Sequence, residues 1–359
     1  MEQFTEIHEL LELLPQPAFL VTGGQINYLN QAAQKRMLPG NIAVSDILFT
    51  GAEEYAAFEG GCLYLTLKIE DITYGATVTR SDRYDIFCLD QEENNTELRA
   101  MALAAQMLRE PLANLMISAN RVLPAISNSD DLTLRNHAAS INQSLHQILR
   151  LIGNMSDAAR YSGSMLPNYA YKDLSAFLRE ILEKVSSLVQ PSGCTITAEA
   201  LPEAVLCLVD EEKLERAVYN LLSNAIKFTP AGGRIALSLT QHGSKLHLSV
   251  RNSGSTIPAQ LRSSIFNRYH REPAIEERRQ GIGLGMVMVR TAATAHGGTV
   301  LVDQPTENET RVTMTLNMRI PASANLRSPR LKIDYAGEYD HALIELSDAL
   351  PAKAYSQNN

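Results

Sequence analysis

Two apolar stripes near the middle of the chain restrict its fold more than any other feature. Leu98, Met101, Ala105, Leu108, Leu112, Leu115, Ala119 and Val122 recur in alternating steps of three and four, and Leu134, Ala138, Ile141, Leu145, Ile148, Ile152, Met155 and Ala159 repeat the spacing. Such a seam marks a helix that packs on other helices. The two are joined by Pro124-Ala-Ile-Ser-Asn-Ser-Asp-Asp131, which is rich in turn and cap residues, so residues 93–165 are expected to form an antiparallel hairpin. A hairpin alone cannot bury both stripes. A second copy of the chain is the natural partner, and a homodimeric four-helix bundle is the expected outcome. Pro111 lies inside the first helix and must kink it or free one backbone carbonyl.

Residues 1–92 read as a small α+β domain. A short helix ends at Pro15, Ala18–Val21 is a strand, Gly23-Gly24 turns the chain, and Gln25–Leu29 returns. Asn30 is placed to cap the next helix. Three β-rich segments, beginning at Cys62, Ile72 and Arg83, predict an antiparallel sheet. This order resembles a PAS-type sensor domain, with Leu-Pro-x-Pro-Ala before the first strand and an Asn-x-Ala-Ala helix start. Beyond the hairpin, residues 169–320 alternate helices and strands, and a two-layer α/β sandwich is the simplest packing. The fold class is therefore multidomain α+β. Residues 321–359 mix Pro, Ser and charge around one short helical stretch, His341–Leu350, and read as a loosely attached C-terminal extension.

Bulk properties narrow the function classes. A chain of 359 residues, 45% hydrophobic and 20% charged, suits two or three globular domains. The net charge of -8 argues against a general nucleic-acid or anionic-membrane binder. Cys62, Cys88, Cys194 and Cys207 have no spacing suited to zinc or a disulfide framework. No apolar run is long enough for a membrane span, and the acidic amino terminus lacks the basic start of a signal peptide. A cytoplasmic protein is expected.

The chemistry concentrates in Asn220-Leu-Leu-Ser-Asn224-Ala-Ile-Lys227-Phe228-Thr229-Pro230. On a helix from Asp210, Asn220, Asn224 and Lys227 share one face. A carboxamide oxygen is a hard ligand suited to Mg²⁺, and an ammonium group neutralises phosphate oxygens. Asn is a poor helix former, so two in mid-helix are costly without a partner. Downstream, Gly281-Ile-Gly283-Leu-Gly285 opens the next helix, and its backbone can approach phosphate closely. The intervening Ile265-Phe266-Asn-Arg-Tyr269 and the charged run 270–280 suggest a mobile lid.

Taken together, residues 1–320 resemble the sensor histidine kinases of two-component systems. The Asn-Leu-Leu-x-Asn-Ala-x-Lys-Phe-Thr element is specific to that family's ATP-binding domain, of the histidine kinase, gyrase and Hsp90 type. The Phe-x-x-Tyr and Gly-x-Gly-Leu-Gly elements follow in the family's order. The resemblance implies ATP and Mg²⁺ as cofactors, with Asn224 on the metal, Lys227 on the phosphates, and Asn220, Phe228 and the three glycines lining the site. It also implies a response-regulator receiver or another histidine kinase as partner.

Two departures matter. The family's run His-Glu-Leu-Arg-Thr-Pro-Leu aligns with Gln106-Met107-Leu108-Arg109-Glu110-Pro111-Leu112, so Gln106 stands where the phosphoacceptor histidine is expected. A carboxamide nitrogen has no available lone pair and cannot attack a phosphoryl group. The family's Asp-x-Gly-x-Gly element aligns with Asn252-Ser-Gly254-Ser-Thr256. Asn252 keeps a carbonyl acceptor for the adenine amino group but loses the charge, which predicts weaker binding. Three readings follow: an ATP-binding signalling protein without conventional autophosphorylation, an atypical kinase using another histidine or a partner's, and a nucleotide-independent dimeric scaffold. His137 and His146 read as exposed or flanking on the second hairpin helix. Asn220 cannot act as the base of a hydrolytic ATPase.

Overall fold

A computed structural model describes residues 2–36, 38, 40–90, 95–160, 167–254, 257, 265–266, 284–320 and 339–356. The amino-terminal part runs α1 (Glu2–Glu12), β1 (Ala18–Thr22), β2 (Gln25–Leu29), α2 (Gln31–Lys35), β3 (Leu48–Thr50), α3 (Ala52–Ala57), β4 (Cys62–Ile69), β5 (Ile72–Arg80) and β6 (Asp85–Leu89). Its main strands lie antiparallel in the order β2-β1-β6-β5-β4, with β3 added against β4. Asn30 does more than cap α2. Its Oδ1 accepts from the amides of Ala33 (2.9 Å) and Ala18 (3.0 Å), and its Nδ2 donates to the Leu11 and Gln16 carbonyls (3.0 Å each). One buried carboxamide thereby joins α1, β1 and α2. Phe19, Phe87, Leu65 and Val78 fill the core behind the sheet.

The hairpin consists of α4 (Asn95–Ser127) and α5 (Leu132–Arg160). Helix α4 continues through Pro124, where a linker was expected, so the connection shrinks to residues 128–131. A proline near a helix end costs one backbone hydrogen bond only, and buried Leu123 holds the last turn against its surroundings. The seam divides in two. Ala105, Leu112, Leu145 and Ile152 pack together within the hairpin, joined by Met116. Leu108, Leu115, Val122, Leu134, Ile141 and Ile148 remain 41–58% exposed.

The remaining chain folds as β7 (Tyr169–Asp173), α6 (Leu174–Val189), β8 (Thr195–Ala198), β9 (Leu206–Asp210), α7 (Glu211–Phe228), β10 (Arg234–His242), β11 (Lys245–Ser253), α8 (Gly285–Ala295), β12 (Val300–Asp303), β13 (Glu309–Asn317) and α9 (His341–Glu345). Strands β8-β10-β11-β13-β12 are adjacent in one sheet, with β8 parallel to β10 and the other pairs antiparallel. Helices α6, α7 and α8 pack through Leu178, Leu214, Leu221 and Val289 onto Ile235, Leu248, Val250 and Met314 in a single core. This is the expected sandwich. Strands β7 and β9 form a separate two-stranded ribbon that the sequence pattern did not suggest.

Two features depart from the expected separate domains. The amino-terminal sheet and the sandwich sheet are continuous, because β12 pairs antiparallel with β4 through Val300–Tyr64, Leu301–Leu63 and Val302–Cys62. Gly61 permits this approach: its φ is +94°, and a Cβ there would lie 2.2 Å from the Val302 carbonyl oxygen. Of the carboxy-terminal extension, residues 339–356 are described, and these are not loosely attached. Ala342, Ile344, Glu345, Leu346, Ser347 and Tyr355 are all buried, against α5, α6 and α7.

Candidate functional site

Helix α7 organises the site. Its N-cap, Asp210, accepts from the Lys213 amide, while the Asp210 amide donates to His296 Nε2 at 2.9 Å. Leu214, Ala217, Val218, Leu221 and Ala225 anchor the helix in the core. The periodicity then carries Asn220, Asn224 and Lys227 along one stripe, as the sequence predicts. Asn220 is only 1% exposed. Its Nδ2 donates to the Arg216 carbonyl at 2.8 Å, and its Oδ1 accepts from Arg150 at 2.9 Å. Asn224 and Lys227 are half-buried. Gly285 opens α8 against this stripe, and a Cβ on it would lie 3.0 Å from Asn220 Oδ1.

The second wall comes from the end of β11. Asn252 is buried there and its Nδ2 donates to the Ser253 carbonyl at 3.4 Å. Gly254 follows at φ +136°, with its Cα so near the end of α7 that a Cβ would lie 2.2 Å from the Phe228 carbonyl. Only glycine permits this crossing. The fold thus brings Asn220, Lys227, Phe228, Asn252, Gly254 and Gly285 to one edge of the sandwich. Gly281, Gly283, Thr256 and the charged run 270–280 lie outside the described residues.

The donor set is carboxamide oxygen and ammonium, which suits a hard cation held partly by phosphate oxygens. Among the described residues, no group of three His, Cys, Asp or Glu side chains could hold a metal ion by itself. Half-buried Asn224 beside Lys227 fits a hard cation that brings oxygen ligands of its own.

Sequence reasoning missed a set of buried charges at this edge. Arg150, from α5, donates to Asn220 and to Ser223 Oγ (3.4 Å), and pairs with Glu345 (3.3 Å) and Asp348 (2.9 Å). Glu345 is completely buried, and its other oxygen lies 3.2 Å from Arg216 Nε. Arg216 donates in turn to Asn154 at 2.6 Å. Asp348 reaches Lys227 at 3.7 Å. A signal existed: Arg150 interrupts the apolar run Ile148-Leu-Arg-Leu-Ile152, and Glu345 interrupts Ala342-Leu-Ile-Glu-Leu346. A charge embedded in such a run is buried only with a partner.

The histidines and cysteines separate cleanly. His296 directs Nδ1 to the Ala292 carbonyl (2.7 Å) while Nε2 accepts, so it is neutral, and burial lowers its pKa. His146 is buried beside Tyr339 and Tyr355, not exposed or flanking as expected, and burial lowers its pKa too. His137 is exposed on α5. Gln106 is exposed on α4, next to Met107 at 77% exposure. Burial pushes the Cys88 and Cys207 thiols up to about 11, which leaves little thiolate at neutral pH. No helix among the described residues is long and apolar enough to cross a membrane.

The family model for histidine kinase-, DNA gyrase B- and HSP90-like ATPases matches residues 209–320. The sensor histidine kinase TmoS of Ectopseudomonas mendocina is 31% identical over 58% of this chain and 22% of that protein. Hybrid signal transduction histidine kinase D of Dictyostelium discoideum is 25% identical over 66% of this chain and 16% of its own length. The sensor-like histidine kinase SenX3 of Mycolicibacterium smegmatis is 25% identical over 62% of this chain and 59% of its own length. The chain thus spans less than two thirds of each relative. Full-length ShkA, solved in complex with AMPPNP, superposes with a TM-score of 0.51 at 22% identity, over 63% of this chain and 47% of that one. At that identity the likeness is one of fold.

Proposed function

We propose, from the premise that this chain is a sensor-histidine-kinase relative carrying that family's type of ATPase domain, that it is a dimeric signalling protein that binds ATP with Mg²⁺ and does not phosphorylate itself in the ordinary way. One observation carries the reading. The stripe Asn220, Asn224 and Lys227 has Gly285 beside Asn220 and Gly254 beside the Phe228 carbonyl at the end of the helix, whereas the residue at the acceptor position, Gln106, is an exposed carboxamide with no nucleophilic nitrogen.

In this reading Asn224 supplies a carboxamide oxygen to Mg²⁺, and Lys227 binds phosphate oxygens. Asn252 accepts from the adenine amino group through a neutral hydrogen bond. Gly254, Gly281, Gly283 and Gly285 let backbone approach the nucleotide. The amino-terminal domain acts as a PAS-like sensor. The exposed half of the hairpin seam receives a second copy of the chain, and the dimer regulates a response-regulator receiver or another histidine kinase by binding it. The atypical-kinase reading would need an accessible imidazole on the hairpin, and His137 meets that requirement while His146 does not.

Titration calorimetry with ATP and Mg²⁺ tests the proposal. Wild type should bind, and Asn224→Ala should bind at least about tenfold more weakly, the loss of roughly one 1.4 kcal/mol interaction. Equal affinity of the two proteins would remove Asn224 from the site. Incubation with labelled ATP should leave no acid-labile phosphohistidine, and appearance of one abolished by His137→Gln would establish the atypical kinase instead.

A further inference from the structure

Residues 339–356 fill the angle between α5 and α7, held by a run of α5 side chains. Asn142 Nδ2 donates to the Tyr355 carbonyl at 3.1 Å, and Gln143 Nε2 to the carbonyls of Ser347 (3.0 Å) and Leu350 (2.7 Å). Gln147 adds a second donor to Ser347 at 3.1 Å. From the other side, Glu215 of α7 contacts His341 at 3.1 Å. Buried backbone carbonyls must find donors, and here three polar α5 side chains at steps of one and four meet the bend after α9. The segment is docked by specific geometry as well as by apolar burial.

Its charged residues face the candidate nucleotide site. Glu345 links Arg150 to Arg216, and Arg150 holds Asn220. Asp348 places one carboxylate oxygen 2.9 Å from Arg150 Nη1 and 3.7 Å from Lys227 Nζ. Lys227 is the side chain assigned above to the phosphates. A carboxylate and a phosphate are both oxyanions seeking the same cationic donors, so the two compete for Lys227.

We propose that the carboxy-terminal segment is a built-in competitor of the nucleotide: Asp348 occupies the phosphate seat formed by Lys227 and Arg150, and ATP binds by displacing it. The inference rests on the ATP-binding reading and adds its regulation. When Asp348 leaves, Arg150 becomes a second cation for the phosphates, contributed by the hairpin. Nucleotide occupancy is then tied to the junction between hairpin and sandwich, because Asn142, Gln143, Gln147 and Arg150 hold the segment from α5. Linkage requires that ATP weaken docking of the segment by the same factor by which docking weakens ATP binding.

The experiment uses the full chain and ATP with Mg²⁺. Asp348→Asn keeps the shape and removes the charge. It should lower the Kd for ATP about tenfold relative to wild type, as expected for loss of one competing charged contact. Gln143→Ala, remote from the phosphate residues, removes two carbonyl contacts of the segment and should shift affinity in the same direction. Hydrogen exchange read on residues 341–350 should speed up when ATP is added to wild type. Wild-type binding with no gain in either variant, or no change in exchange, overturns the competitor while leaving the ATP site standing. Failure of all three proteins to bind ATP overturns both readings.

Discussion

Two buried imidazoles predict an acid-sensitive fold. His296 accepts the Asp210 amide through Nε2 at the start of α7, and His146 is enclosed by Tyr339 and Tyr355. Burial depresses both pKa values, so the native state keeps them neutral while the unfolded chain takes up protons near pH 6.5. The unfolded state binds more protons in that range, so stability rises with pH there and is lost as the pH falls below about 6.5, until the lowered native values are passed. Thermal unfolding should therefore show a Tm that drops by several degrees between pH about 7.5 and 5.5. His146→Phe, which retains a ring between the two tyrosines, should flatten part of that slope; an unchanged slope would clear His146 of responsibility. At this scale the sequence was legible where function follows local spacing. Asn220, Asn224 and Lys227 could be placed on one face from period alone. Arg150, Glu345 and Asp348 could not be connected, because their contacts cross from α5 to the carboxy-terminal segment and no local pattern encodes such a pair.

At the scale of elements, the hairpin seam divides into a buried half and an exposed half. Ala105, Leu112, Leu145 and Ile152 close the contact between α4 and α5, and the alternate positions Leu108, Leu115, Leu134 and Ile141 stay outside. A contiguous apolar stripe of this kind is what a second copy would cover. Wild type should sediment as a dimer. Ile141→Glu should give a monomer of unchanged helical content, since Ile141 lies at 49% exposure and makes no part of the intrachain core. A wild-type monomer would end the bundle reading. Long periodic elements were recovered from sequence because many residues vote on one period. Two short ones were missed. Tyr169-Ala-Tyr-Lys-Asp173 and Leu206-Cys-Leu-Val-Asp210 are strands through pairing with each other, across a gap that includes all of α6. Helix continuity through Pro124 was missed for the opposite reason: a strong local breaker lost to packing of the last turn.

The molecule as a whole is less divided than its sequence suggests. The boundary at residue 92 separates two sheets in the chain but not in space, because β4 and β12 share a hydrogen-bonded edge. Lys245 of β11 bonds Glu53 (3.0 Å) and Glu54 (2.8 Å) of α3 across the same junction. Arg290 of α8 pairs with Asp90 and lies 3.4 Å from Tyr64 Oη. Calorimetry should accordingly record the amino-terminal and sandwich units melting in a single cooperative transition. Gly61→Ala, whose new Cβ would press on the Val302 carbonyl, should split that transition in two; a split already present in wild type would mean the shared edge is too weak to couple them. Edge pairing uses backbone groups that every residue except proline carries, which is why sequence offered no hint of it.

That junction has a consequence for how information could travel. Arg290 projects from the same helix whose first residue, Gly285, lies so near Asn220 that a Cβ there would be 3.0 Å from its Oδ1. Helix α8 therefore connects β4, through Arg290 and Tyr64, to the surroundings of Asn220. The hairpin reaches the same residue through Arg150, which donates to Asn220 Oδ1. Asn220 is thus flanked by two separated parts of the chain, α8 with its Arg290 contact to β4 on one side and the hairpin through Arg150 on the other.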